Sequence, residues 1–261
     1  SNGITLSGST SSFNDINGSS NNLVAWQWKA GGTTPTKTYK VVVVSDSGNK
    51  YRFRNSGDTA TFAQSAVTLD LQEGGTYVFD WSDSSAQAHP IRFSLTSGGT
   101  HNSGSEYTTG VVKDDSAYKT TITVPSGVST LYYYCQYHSG MGGQVNTNTT
   151  HGQTNFDGSI LSVNQANTTA GFSIVTYTAT NTTATIGHGL GKAPNMIIVK
   201  DRSQTGSWVV GHDGIGWTDR LLLNGTNSTA SSSNSWQNTA PTSSIFYVGT
   251  NTNYQTGNHI A

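Results

Sequence analysis

The chemistry in this chain concentrates in one short run, Tyr134-Cys135-Gln136-Tyr137-His138-Ser139-Gly140-Met141, where a thiol, an imidazole and a thioether follow one another as C-x2-H-x2-M. Upstream stands a second imidazole, His89, followed by Pro90. Two imidazoles and one thiolate in a trigonal set, with a weak axial thioether, form the donor set that suits copper in an electron-transfer site. Soft sulfur ligands also select against magnesium and calcium. The candidate metal ligands are therefore His89, Cys135, His138 and Met141. Taken singly, each has an ordinary explanation. A lone Cys in a β-core is commonly inert packing, a lone loop His is solvated, and a Met after glycine fills a gap. Their joint order and spacing make the metal reading the stronger one.

Such ligands need a rigid frame, and the frame reads as β. Tyr51 and Phe53 alternate with Lys50, Arg52 and Arg54; Ile91, Phe93 and Leu95 alternate with Arg92 and Ser94. Tyr77/Phe79/Trp81 and Leu131/Tyr133/Cys135/Tyr137 repeat the same period of two. Further strands are expected at 40–45, 120–124, 171–178, 195–201, 207–211, 220–223 and 244–249. Gly, Asn, Ser and Asp clusters between them supply turns, and no window of a dozen residues has a period of 3.6. The expected fold is all-β: two β-sandwich domains, with an N-terminal strand segment completing a flanking or neighbouring sandwich. In that frame one strand fixes Cys135, and the loop after it curls His138 and Met141 around the metal. His89, between strands 76–81 and 90–95, ties in a second strand.

Composition removes several function classes. The 261 residues carry about 10% charge, a formal net charge of −1, one Cys and thirty Gly; Ser, Thr and Asn make up roughly 36%. Without a basic excess, nucleic-acid binding is excluded as a general role. No run of 18 apolar residues crosses a membrane as a helix. One Cys makes no internal disulfide framework. Glu73 and Glu106 are the sole glutamates, and no paired-carboxylate, P-loop, H-E-x-x-H or G-x-S-x-G signature occurs, so no enzyme activity is expected. Gly187-His188-Gly189-Leu190-Gly191 reads as a tight turn, because Pro194 and a strand follow it instead of a phosphate-binding helix. Six N-x-[S/T] sequons are what chance supplies in so Asn- and Thr-rich a chain.

Three blocks organise the chain: 1–35 as N-terminal strands, 36–145 as the site-bearing domain, and 146–261 as a second sandwich entered through Asn146-Thr147-Asn148-Thr149-Thr150. The two ends resemble each other. Asn22-Leu23-Val24-Ala25, after an Asn-rich loop, parallels Asn258-His259-Ile260-Ala261 after another. This reads as one period of a head-to-tail array, and the chain as a piece of a longer or processed polypeptide. Two unrelated hairpins of similar composition are the plainer alternative.

Around His89-Pro90 and Tyr134–Met141 the chain resembles the cupredoxins, the type 1 blue-copper domains, over roughly residues 37–145. The C-x2-H-x2-M loop is similar to that of the amicyanin branch. The resemblance implies His89, Cys135 and His138 as equatorial ligands, Met141 as the axial one, and a single type 1 copper, in a site that exists with or without the ion. Tyr137 stands where the family usually has Pro, which implies different hydrogen bonding around the sulfur and a different potential. Asn22–Gly32, Gly171–Thr178 and Gly187–Lys200 resemble repeat modules of marine bacteriophage structural and appendage proteins. That resemblance implies a surface or fibre role.

The leading expectation is thus a structural subunit of an extracellular or virion fibre, joined to copies of itself in a homopolymer or tandem array and carrying a copper site. A secreted blue-copper electron carrier with an accessory β domain comes second. A carbohydrate-binding adhesin comes third, with a host-surface receptor or glycan as partner. Trp208, Trp217 and Trp236 would form its stacking platform, although core packing is the preferred reading for them. The expected location is extracellular or on a virion surface.

Overall fold

The computed structural model describes residues 34–128, 130–149, 152–254 and 258–261, with Asn258–Ile260 given by backbone alone. The N-terminal strand pair expected within 1–35, and with it the first copy of the end-to-end repeat, lies outside the described residues.

Among the described residues the first sandwich has nine strands: β1 (Thr36–Ser45), β2 (Asn49–Phe53), β3 (Leu69–Gln72), β4 (Thr76–Asp80), β5 (Ile91–Ser94), β6 (Val111–Asp114), β7 (Lys119–Thr123), β8 (Thr130–Cys135) and β9 (Gly143–Asn148). They form a five-stranded sheet, β2-β1-β4-β7-β6, facing a four-stranded one, β3-β9-β8-β5. β1 pairs parallel with β4 and β3 with β9; the other pairs are antiparallel. The period-two residues decide what faces inward. Tyr51, Phe53, Tyr77, Phe79, Ile91, Phe93, Leu131 and Tyr133 are all buried in one core. Leu95 and Tyr137 continue the alternation on paper but are exposed, because β5 stops at Ser94 and β8 at Cys135.

The second sandwich takes β10 (Gln153–Asn155), β11 (Ser162–Asn167), β12 (Phe172–Thr178), β13 (Ala184–Gly187), β14 (Met196–Asp201), β15 (Val209–His212), β16 (Asp219–Leu222), β17 (Ala230–Ser231), β18 (Ile245–Val248) and β19 (Asn258–Ile260). Among the described residues one sheet has eight strands, β10-β11-β12-β19-β14-β15-β16-β17, and the other is the pair β13-β18. The last strand of the chain therefore enters the middle of a sheet, between β12 and β14. Trp236 sits in this core with Trp217 edge-on against it at 5.9 Å. Trp208 is exposed, so these residues do not make a three-Trp platform.

The low-complexity stretch expected to open the second domain is structural. β9 runs across the 145/146 boundary, and Asn146–Asn148 pair with Asp70–Gln72 of β3. Farther on, Phe156 leaves the second sandwich and enters the first core, stacked on Phe53 at 4.8 Å and edge-on to Tyr39 and Phe62. The Tyr39 hydroxyl and Lys37 ammonium both donate to the Thr154 carbonyl at 3.0 Å. The Thr154 hydroxyl accepts from the Asp70 amide at 2.7 Å. Among the described residues this segment pegs the two sandwiches together, with Leu161 packed against the first core and Gln165 bonded to Gln72 beside it.

Candidate metal centre

Two antiparallel strands bring the distant ligands together. Ile91 of β5 pairs directly with Cys135 of β8, and the ladder continues one step as the Gln136 amide donates to the Pro90 carbonyl at 3.0 Å. His89 thus arrives beside the end of β8, on the same side of the pleat as Ile91 and Cys135. Its own amide is tied back to the Ala86 carbonyl at 2.8 Å. After Cys135 the chain turns for five residues before Met141, with Gly140 in the left-handed region at φ 71°. Gly142 then passes so close to β8 that a Cβ there would collide with the Tyr133 carbonyl. Glycine lets the loop fold straight back into β9.

The result is a compact donor set. Cys135 Sγ lies 3.7 Å from His89 Nδ1 and 3.5 Å from His138 Nδ1. The three ligand atoms all lie within 4.8 Å of one another, and the imidazole centroids are 4.5 Å apart. Donors about 2.0–2.3 Å from a common ion and 120° apart would stand roughly 3.5–4 Å from each other. Both sulfur–nitrogen separations fall in that range, so the residues fit the metal that their chemistry implies. Cys135 is fully buried, His89 nearly so, and His138 is exposed. Met141 is buried in the same core cluster as Cys135. Burial holds the His89 imidazole below its ordinary pKa, and the nearby His138 adds to the effect. His89 is therefore neutral at pH 7, the form that binds metal.

Three residues that the sequence did not single out hold this set from behind. The Tyr51 hydroxyl donates to the His89 carbonyl at 2.7 Å, and its amide donates to the Met141 carbonyl at 3.0 Å. Burial drives the Tyr51 phenol well above its usual value, with charge on Cys135 as the next cause. It therefore stays a donor. Lys50 Nζ donates to the Gly140 carbonyl at 2.5 Å. His101 Nε2 lies 2.9 Å from the Cys135 carbonyl. Tyr51 reads in sequence as an ordinary core position, and nothing in its spacing points to His89 or Met141.

Comparison with known proteins adds little to this geometry. A family model described as a domain of unknown function (DUF7483) matches residues 145–261, the second sandwich with the end of β9. No curated protein matches the chain, and no solved structure does.

Proposed function

We propose that this chain binds one copper ion through His89, Cys135 and His138, with Met141 as the axial donor, in a cupredoxin-like sandwich. The observation that carries the reading is the buried sulfur flanked at 3.7 and 3.5 Å by two imidazole nitrogens. When bound to such a donor set, copper supplies a one-electron couple. The chain's own residues hold that set in place before any ion arrives. β5 and β8 fix His89 and Cys135, the Tyr51 hydroxyl and amide pin both ends of the set, and the buried sulfur is shielded from water. The exposed His138 is where a redox partner would approach.

Titrating the chain with copper(II) tests this. The expected result is an intense visible thiolate-to-copper band that reaches its maximum at one equivalent and is absent in Cys135→Ala. A site that takes zinc at one equivalent and gives no visible band with copper would overturn the copper assignment.

A second reading, a structural subunit that joins copies of itself outside the cell or on a virion, is favoured by a different observation. On the outer face of the eight-stranded sheet, beside the short β19, Met196 and Trp208 are exposed apolar side chains. Strand edges and apolar strips of this kind invite pairing with another chain. Light scattering against concentration tests it; a monomer at every concentration would rule it out.

A further inference from the structure

Hydrogen bonding along β8 decides where the Cys135 carbonyl points. The Gln136 amide bonds to the Pro90 carbonyl, so Gln136 and every second residue before it face β5. Cys135 and Tyr133 therefore face the other way, toward β9. Ile91, the partner of Cys135, obeys the same alternation. Its carbonyl turns away from β8 and accepts from the Thr120 hydroxyl at 2.8 Å and from Arg92 at 3.0 Å. Tyr133 pairs with Gly143, the first residue of β9. Opposite Cys135 the chain has already bent into the ligand loop, where Met141 gives its own carbonyl to the Tyr51 amide. The group that meets the Cys135 carbonyl is an imidazole from elsewhere: His101 Nε2, 2.9 Å away. A carbonyl only accepts, so Nε2 carries the proton and donates.

This imidazole is held in place by its own element. His101 stands on a short 3-10 turn, Gly99–Asn102. The Gly99 amide donates to the Thr96 carbonyl at 2.9 Å and the Gly104 amide to the Gly99 carbonyl at 3.0 Å. The Asn102 side-chain amide donates to the Ser97 carbonyl at 3.1 Å. The turn lies flat on β8 because residue 99 has no side chain: its φ is 59°, and a Cβ there would collide with the Tyr134 ring. The His101 ring then stands edge-on to Tyr134, with centroids 6.1 Å apart.

We propose that His101 is a positioning residue for the metal centre: its N–H, held against the carbonyl of the thiolate residue, raises the reduction potential of the bound copper. The proposal rests on the copper reading above. Taking one electron from a redox partner converts copper(II) to copper(I) and leaves the site one charge more negative. The positive end of an N–H dipole aimed at the Cys135 backbone favours that more negative state. The same bond fixes the peptide between Cys135 and Gln136, and with it the direction in which the sulfur is presented. Neither effect needs contact with the ion.

The test compares the full-length chain with His101→Leu and His101→Gln. Each is loaded with one equivalent of copper and equilibrated with a one-electron mediator of known potential. His101→Leu should keep the visible band and shift the copper(I)/copper(II) ratio about threefold toward copper(II), the order set by losing one neutral hydrogen bond. His101→Gln, which returns an N–H donor, should recover most of that shift. In the metal-free chain, nitrogen NMR should find a proton on His101 Nε2. An unchanged ratio in His101→Leu, with the band intact, would reject the role of His101 and leave the copper reading standing. Equal shifts in the two variants would assign the effect to the ring's packing on Tyr134 and overturn the hydrogen bond. A proton on Nδ1 alone would overturn it as well. No band in the unaltered chain would reject both readings.

Discussion

The two sandwiches solve the same packing problem with different materials. Among the described residues, the first buries twenty-two in one cluster, ten of them Tyr, Phe or Trp; the second buries ten. The second also buries polar side chains that are bonded to backbone. Asn253 donates to the Thr182 carbonyl at 2.6 Å and the Thr180 hydroxyl at 3.0 Å, and accepts from the Thr180 amide. The Thr252 hydroxyl donates to the Ser235 carbonyl at 2.6 Å, and the Thr252 carbonyl accepts from the Tyr177 hydroxyl at 2.6 Å. Gln237 bridges the Ala184 and Val248 carbonyls. The Asn and Thr excess of the chain is thus partly internal scaffolding. The ring-packed sandwich carries the candidate metal centre.

The sharpest way to break this contrast is at the peg between the halves. Phe156 belongs by sequence to the second block but fills the first core. Phe156→Ala should therefore destabilise the ring-packed sandwich by about 3–5 kcal/mol. Denaturation followed through the copper band would report that half, with calorimetry following the whole. A loss confined to the half containing Trp236 would show that the peg is not part of the first core. Gly142→Ala comes next. Its Cβ would strike the Tyr133 carbonyl, and forcing the ligand loop outward should cost about 1–3 kcal/mol and weaken the band in step. An unchanged spectrum and stability would mean that the loop has room the packing denies it.

In the second sandwich the comparable injury is polar. Asn253→Ala would remove three hydrogen bonds that a fully buried side chain makes to the exposed residues Thr180 and Thr182, at about 1–3 kcal/mol in all. In the first sandwich Tyr133→Phe removes one bond, the hydroxyl to the Val67 carbonyl at 2.8 Å, while the ring stays packed. It should cost about 1 kcal/mol. If the two changes cost the same in paired urea melts, the polar threading carries no more of the second half than of the first.

Much of this was legible because it is local. The ligand spacing and most strand positions depend on neighbours within a few residues, and period two reports the buried face directly. Ile91 paired with Cys135 follows once both strands are seen, so His89 was found. What escaped has no local signature. Phe156 reads as one aromatic in a polar block, and its destination depends on how the two halves meet. Tyr51 has the pattern of any inward strand residue; its second task depends on where its hydroxyl ends. The buried Asn and Thr residues look like turn formers because the same side chains do both jobs. Strand order is also non-local: the strands at 245–248 and 258–260, which the plainer alternative would join in one hairpin, fall in different sheets.

The smallest effect distinguishes the halves by pH. His188 is buried at the edge of the second core, with Nε2 3.2 Å from the Thr242 carbonyl and Nδ1 accepting the Leu190 amide at 3.2 Å. A second proton would sit on Nδ1 and face an N–H donor. Burial accordingly lowers this imidazole's pKa below its ordinary 6.5, outweighing the Thr242 contact that raises it. Between the folded and unfolded values the unfolded chain binds more protons, so stability rises with pH through that window. The contribution is fully present above about 6.5 and is lost as pH falls through the lowered folded value. In the copper-loaded chain, where His89 is occupied, the melting of the second sandwich should fall as pH drops from 7 toward 5. His188→Gln should flatten that slope while leaving the first transition unmoved. A slope that survives the substitution would assign the acid sensitivity to another group and remove His188 from the contrast.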